Sequence, residues 1–148
     1  MIQRKQTLFL LLAFILTVVC MSLQVATFYE DSSVEFARVY NLWITDGQGH
    51  HSFRSIQLFV TLMLSALLSL VTIFTYTKRK LQARMCVLNM VLLLGWYILL
   101  AVLPQNIGGT MHLEWPAVLP AISVVLIFMA RKGVLSDERL VRSLDRIR

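Results

Sequence analysis

The sequence predicts an all-α membrane protein: a four-transmembrane-helix antiparallel bundle, with a short external loop able to close as a β-hairpin and a C-terminal cytoplasmic amphipathic helix. Three observations predict it. Apolar residues make up 57% of the 148-residue chain and charged residues 15%, against roughly 45–50% and about 25% in soluble domains. The missing charge is unevenly spread, so that long uncharged blocks alternate with short charged ones, as when lipid is part of the solvent. And all 14 Lys and Arg residues except Arg38 and Arg54 fall on one side of those blocks.

The first block runs over residues 7–29 and the second over 55–77, each uncharged and about 23 residues long, enough for a helix rising about 1.5 Å per residue to cross a core of about 30 Å. The third, 85–103, is bounded by Arg84 and Pro104. The fourth is weaker. Trp115 to Ala130 is about 16 residues, near the lower limit for a span, and starting it at residue 111 brings Glu114 to headgroup level. Pro116 suits a first helical turn, whereas Pro120 would kink the helix. The chain thus divides into a bundle over 1–132 (spans 7–29, 55–77, 85–103 and 111–130) and a tail helix over 133–148.

An even number of spans places both termini on one side. Arg4 and Lys5 precede the first block, Lys78, Arg79, Lys80 and Arg84 join the second to the third, and Arg131, Lys132 and the tail arginines follow the fourth. Short cytoplasmic segments collect Lys and Arg, so both termini are expected in the cytoplasm of an inner, cytoplasmic membrane. Glu30, Asp31, Glu35, Asp46 and Glu114 fall on the external side, with Trp43 and Trp115 near the outer boundary. Arg4 and Lys5 resemble the start of a signal peptide, but Thr17, Val18 and Val19 before Cys20 lack the small residue that lipoprotein processing wants. The apolar run also overshoots an ordinary signal peptide, so the first span is expected to stay uncleaved.

What the blocks contain excludes several functions. None carries Asp, Glu, Lys, Arg or His at its middle, although ion paths and proton relays usually need an intramembrane ionisable group. Four helices without a repeat also argue against a transporter acting alone. Thr61, Ser65 and Ser69 recur every four residues, with Ala66 beside them, a small-residue stripe that lets backbones approach closely. The stripe suits packing within the bundle, the alternative being a groove for another subunit. Asn89 and Gly95, the latter followed by Trp96 and Tyr97, read likewise as helix-packing positions. Cys20 and Cys86 each sit in or beside an apolar block and read as small buried residues.

In the outer loop, residues 30–54, Val39 to Ile44 is rich in β-branched and aromatic residues. Asp46-Gly47-Gln48-Gly49 has turn chemistry, and His50 to Phe53 can return as a second strand. A lone hairpin is marginal in water and must lean on the helix ends. His50, His51 and His112, with Asp46 and Glu114, form the one set with metal-ligand chemistry. Adjacent histidines in an extended segment point to opposite faces, however, and no H-x-x-x-H pair is present. No G-x-S-x-G, phosphate cradle or acid–base constellation appears either. The expectation is no enzyme, no metal site and no cofactor, with an external-histidine enzyme or metal site as the remote alternative.

The end of the chain, SDERLVRSLDRIR, predicts a helix of about 13 residues, roughly 20 Å long. Ser136 can cap it, and Asp137 and Glu138 suit its first turn. Leu140, Leu144 and Ile147 form an apolar stripe, with Arg139, Arg142 and Arg146 roughly opposite. Such a helix can lie on the inner leaflet or dock its leucines on a protein. About four exposed arginines offset by three acids give little phosphate neutralisation, so nucleic acid is not an expected partner.

MIQRKQT at the start, RKLQARMCVLN at the middle turn and DERLVRSLDRIR at the end together resemble a bacterial membrane protein family labelled domain of unknown function 4293. The resemblance covers essentially the whole chain except the outer loop. It implies a small four-span inner-membrane protein with cytoplasmic termini, and no activity. All three stretches fall on the cytoplasmic side. The leading expectation is therefore a non-enzymatic accessory or scaffold subunit embedded in the lipid bilayer. It would bind a cytoplasmic or membrane protein complex through Arg4, Arg84, Arg139, Leu140, Arg142, Leu144, Arg146 and Arg148. The alternative is a lipid- or small-molecule-binding bundle.

Overall fold

A computed structural model describes residues 3–30, 34–107 and 109–145. Its helices are α1 (Gln3–Ser22), α2 (Ile56–Phe74), α3 (Arg79–Ile107) and α4 (Leu119–Asp145). In the packing, α1 lies against α2 and α4, and α3 against α2 and α4, which closes the four into a ring. All four are long and apolar enough to cross a membrane. The polarity of the bundle fits a lipid solvent. Leu8, Leu11, Ile15, Val60, Leu64, Val91, Ile98 and Val125 are exposed, while Thr17, Ser65, Ser69, Thr72, Gln82, Asn89 and Ser123 are buried. In hydrocarbon the outward face gains nothing from being polar, whereas polar groups gain partners by turning inward.

Those partners are specific. Ser65 Oγ donates to Asn89 Oδ1 at 2.5 Å, and Asn89 Nδ2 donates to Ser69 Oγ at 2.6 Å, tying α2 to α3. Between α1 and α4, the Ser123 hydroxyl lies 3.3 Å from the Ala13 carbonyl and 3.1 Å from the Leu119 carbonyl of its own helix, which share its one proton. Ala13, Thr17 and Ala130 are buried as well, and small side chains of this kind let two helices approach closely.

Both the α1–α2 and α3–α4 connections lie at one end of the ring, and they build a single sheet. Its strands are β1 (Gln24–Glu30), β2 (Val34–Tyr40), β3 (Ile44–Asp46), β4 (His51–Ser52) and β5 (Thr110–Leu113), in the order β4-β3-β2-β1-β5. Every neighbouring pair is antiparallel, and Thr27 of β1 stands between Arg38 of β2 and His112 of β5. Val25, Ala26, Thr27 and Phe28 are all buried. Successive strand residues point to opposite faces, so both faces of β1 are covered.

The sheet is joined to the bundle through Asn41. Its Nδ2 donates to the Cys20 carbonyl at 2.7 Å, and its Oδ1 accepts from Trp96 Nε1 at 3.0 Å. The end of α1, the loop after β2 and the middle of α3 thus meet at one buried amide.

Several expectations are corrected here. The fold is mostly helical but not all-α: a five-stranded sheet replaces the external loop. The first span does not cover 7–29. The helix begins at Gln3 and ends at Ser22, because 20 residues already rise about 30 Å. Gln24–Glu30, rich in β-branched and aromatic residues, finds its hydrogen bonds in β2 and β5 instead. The fourth span likewise starts as β5 and a 3-10 turn over Trp115–Val118, with α4 beginning at Leu119. Pro120 therefore sits in a first turn, where its missing N–H costs little, and does not interrupt the helix. Pro104 does not end α3, which runs to Ile107; Leu103 and Ile107 pack on the core and hold the backbone past the proline. The anticipated hairpin forms between β3 and β4, closed by Asp46 N–H to the His50 carbonyl and Gly49 N–H to the Asp46 carbonyl. The Val39–Ile44 run is broken by the Asn41 anchor. Finally, residues 133–145 are not a separately capped helix. They continue α4 without interruption, so Ser136 caps nothing.

Candidate functional site at the basic end

The end of the bundle opposite the sheet holds the α2–α3 turn, the start of α1 and the end of α4. Thr75 Oγ1 donates to the Val71 carbonyl at 2.7 Å, and Gln82 Nε2 to the Thr72 carbonyl at 3.2 Å. The Val71 carbonyl also accepts the Thr75 backbone N–H, whereas the Gln82 bond reaches from α3 to a carbonyl in the last turn of α2, where the helix leaves its own carbonyls unpaired, and so ties the two helices together.

The far half of α4 is clamped at Asp137. Gln6 Nε2 donates to Asp137 Oδ2 at 2.5 Å, and an Arg79 guanidinium nitrogen donates to the Asp137 carbonyl at 3.3 Å. Gly133, one turn earlier, makes the approach of α1 possible: a Cβ there would stand 2.9 Å from Gln6 Cγ. Three helices therefore meet at one point on the tail.

Beside this clamp a groove runs between α3 and α4. Its inner part, a cleft of about 240 Å³, is lined by Lys80, Ala83, Arg84, Val87, Arg131, Leu135 and Glu138. Its outer part, about 620 Å³, adds Thr77, Lys78, Arg79, Leu81 and Val141. Cations dominate the lining, Glu138 being the one carboxylate in either lining. Such a surface can hold anions, but no nucleophile–base pair stands in it.

Of the residues singled out from the sequence, Arg84 lines this groove, and Arg139 and Leu140 are exposed on the far turns of α4. Arg146 and Arg148 lie outside the described residues, as do the side chains of Arg4, Arg142 and Leu144. Among the packing residues, Ser65, Ser69 and Asn89 form one hydrogen-bonded cluster. Thr61 is not part of it and bonds back to the Gln57 carbonyl. Gly95 makes no close helix contact, since a Cβ there would meet nothing within 4 Å. The large side chain beside it, Trp96, is the buried one. Sequence reasoning passed over Gln6 and Gly133, and used Asp137 only as a first-turn acid and Arg131 only as a basic flank of the fourth span. A usable signal was present in the spacing of Gly133 and Asp137, which places both on one face of a helix.

The sheet end offers less. Glu35 and Arg38 pair through their side chains, and the guanidinium holds the Glu35 carboxyl below its ordinary range while the carboxylate raises Arg38. A shallow pocket of about 350 Å³ lies beside them. His51 on β4 contacts Thr45 and Trp43, whereas His112 on β5 packs edge-on against Tyr29. These histidines occupy opposite margins of the sheet, so they do not converge. Among the described residues no group of three His, Cys, Asp or Glu side chains is placed to hold a metal.

The family described as domain of unknown function (DUF4293) matches residues 2–147. The chain belongs to this family. No curated protein matches it. The DUF4293 match takes in the sheet as well as the four helices, so the sheet belongs to the architecture that the family match covers.

Proposed function

We propose that this DUF4293 protein is a non-enzymatic accessory or scaffold subunit of a bacterial inner membrane, crossing it four times with both termini in the cytoplasm. The basic end faces the cytoplasm and the sheet faces outward. In this reading the projecting end of α4 docks on a protein partner with an acidic, leucine-accepting surface. One observation carries it: α4 is a single helix through Asp145, fastened at Asp137 to α1 and α3. From Arg131 to Asp145 the helix rises roughly 20 Å, so a helix fixed in this way projects from the bundle instead of lying flat along the leaflet. Arg139 is exposed, as are Leu140 at 54% and Val141 at 42%. The acids Asp137, Glu138 and Asp145 would also be a handicap on an anionic leaflet.

The orientation rests on the distribution of basic residues. Reporter fusions after Thr77 and at Arg148 are expected to score cytoplasmic, and a fusion at Gly49 external. An external signal at Arg148 would break the four-span reading.

Docking is tested with a photo-crosslinking residue in place of Val141 in native membranes. The expected result is one defined protein adduct, lost in a Leu140→Asp/Leu144→Asp variant that still inserts normally. Removing the arginine charge at Arg139, Arg142 and Arg146 is expected to weaken the adduct in a salt-dependent way. Truncation has to fall after Glu138, because a shorter chain would also lose the Asp137 clamp. Adducts to lipid alone, or full complementation of a deletion strain by the chain truncated after Glu138, would sink the docking reading.

A further inference from the structure

The groove between α3 and α4 has features that partner docking by the tip of α4 does not use. Lys80, Arg84 and Arg131 line its inner cleft, and none of them is ion-paired with a described residue. Lys80 and Arg84 are four residues apart, so they share one face of α3. Arg131 is the most buried of the three. Its Nε is shut away from solvent and has no hydrogen-bond partner among the described residues. A guanidinium with one nitrogen buried in this way is already partly desolvated, and an anion beside it meets a charge that water screens less than at the open surface.

The position of the groove says which anion. On α3 the lining of the cleft changes within one turn from Lys80 and Arg84 to Val87; on α4 Arg131 is its innermost residue, with Leu135 and Glu138 following toward the tail. Further along the same face of α3, by helical spacing, come Val91 and Leu94, with Phe128 one turn beyond Arg131 on α4; all three are exposed. The groove is thus basic where the apolar surface ends and is continuous with that surface below. This is the arrangement of a glycerophospholipid, with phosphate at the boundary and acyl chains in the hydrocarbon. A free phosphate ion would use the cations and leave the apolar part of the cleft without an occupant.

We propose that the α3–α4 groove is a binding site for one anionic glycerophospholipid of the adjoining leaflet, with Arg84 and Arg131 holding the headgroup phosphate and Lys80 beside them.

The test uses the full chain, purified in mild detergent and examined by native mass spectrometry with added phosphatidylglycerol, phosphatidylcholine or inorganic phosphate. Phosphatidylglycerol is expected to be retained in preference to phosphatidylcholine. Arg84→Gln and Arg131→Gln should each lower that retention about fivefold, and the pair about thirtyfold. Lys132→Gln removes the same charge from an exposed position outside the groove and should leave retention near the parent level. Should Arg131→Gln fail to fold, the exposed Arg84→Gln set against Lys132→Gln decides by itself. Equal retention of the two lipids, equal loss in Arg84→Gln and Lys132→Gln, or displacement of the lipid by millimolar inorganic phosphate would each overturn the proposal. No protein partner enters this readout, so docking by the α4 tip and lipid binding in the groove can fail separately.

Discussion

Trp96→Ala is expected to lower the stability of the purified protein by about 3–5 kcal/mol, the range for deleting a large buried aromatic side chain. Trp96 is fully buried in the middle of α3, and its ring packs edge-on against Tyr97 with centroids 4.9 Å apart. Tyr97 in turn donates its hydroxyl to the Ala117 carbonyl at 2.6 Å, at the start of the α4 segment. The indole N–H is also the partner of Asn41 Oδ1. Its removal leaves a buried amide oxygen unpaired, at a further cost of about 1–3 kcal/mol. Trp96→Phe keeps one aromatic ring but loses the hydrogen bond and part of the buried indole volume, so its effect should fall between that smaller figure and the loss in Trp96→Ala. The measurement is thermal unfolding in mild detergent. Trp115, 67% exposed beside the sheet, is the comparison, and Trp115→Ala should change little. Equal loss from Trp96→Ala and Trp115→Ala would mean that the Asn41 junction does not hold the sheet to the bundle.

The second large effect is expected at Gly109, where the chain leaves α3 and enters β5. Its φ is 80°, in the left-handed region that a side chain makes costly. A Cβ there would also stand 2.8 Å from Phe36 Cε1 and 2.9 Å from the Tyr29 carbonyl oxygen. Gly109→Ala should cost about 1–3 kcal/mol in backbone strain, and the shift forced on β1 and Phe36 should add about 1–3 kcal/mol more. Gly49 separates the two contributions. Its φ is 81°, but a Cβ there meets nothing within 4 Å, so Gly49→Ala should show strain alone. Both variants can be followed by thermal unfolding and by hydrogen exchange over β1 and β5. Matching losses at the two glycines would show that the contact of Gly109 with β1 and β2 carries no weight.

These two positions also mark where reading the sequence stopped short. Gly95 drew attention as a packing glycine, yet it has open space around it, while its neighbour Trp96 is the buried anchor. Asn41 looked like part of a strand and is a junction of three segments. In both cases the deciding contact spans more than fifty residues of chain between Asn41 and Trp96, and local composition carries no trace of it. The polar cluster fared better. Ser65, Ser69 and Asn89 were legible because a hydroxyl or amide in a hydrocarbon span has few options other than a neighbouring helix. Thr61 had one such option, its own helix backbone, and took it.

The sequence by itself determined that four segments are apolar and long enough to cross a membrane, that charge gathers at their ends, and that most of the basic residues collect at one end of the bundle. These follow from transfer free energy, which depends on composition summed along a segment and needs no knowledge of what the segment touches. Only the tertiary structure decided that Gln24–Glu30 is a strand and not the end of a helix, that β5 joins it from the other connection, and that the tail is the far half of α4. An uncharged stretch satisfies the hydrophobic criterion equally as helix or strand. What settles it is where its backbone hydrogen bonds find partners. For β1 those partners lie on β2 and on β5, more than eighty residues away along the chain. For the tail the backbone partners are those of α4 itself, which runs on to Asp145, and Gln6, at the opposite end of the sequence, meets it at Asp137.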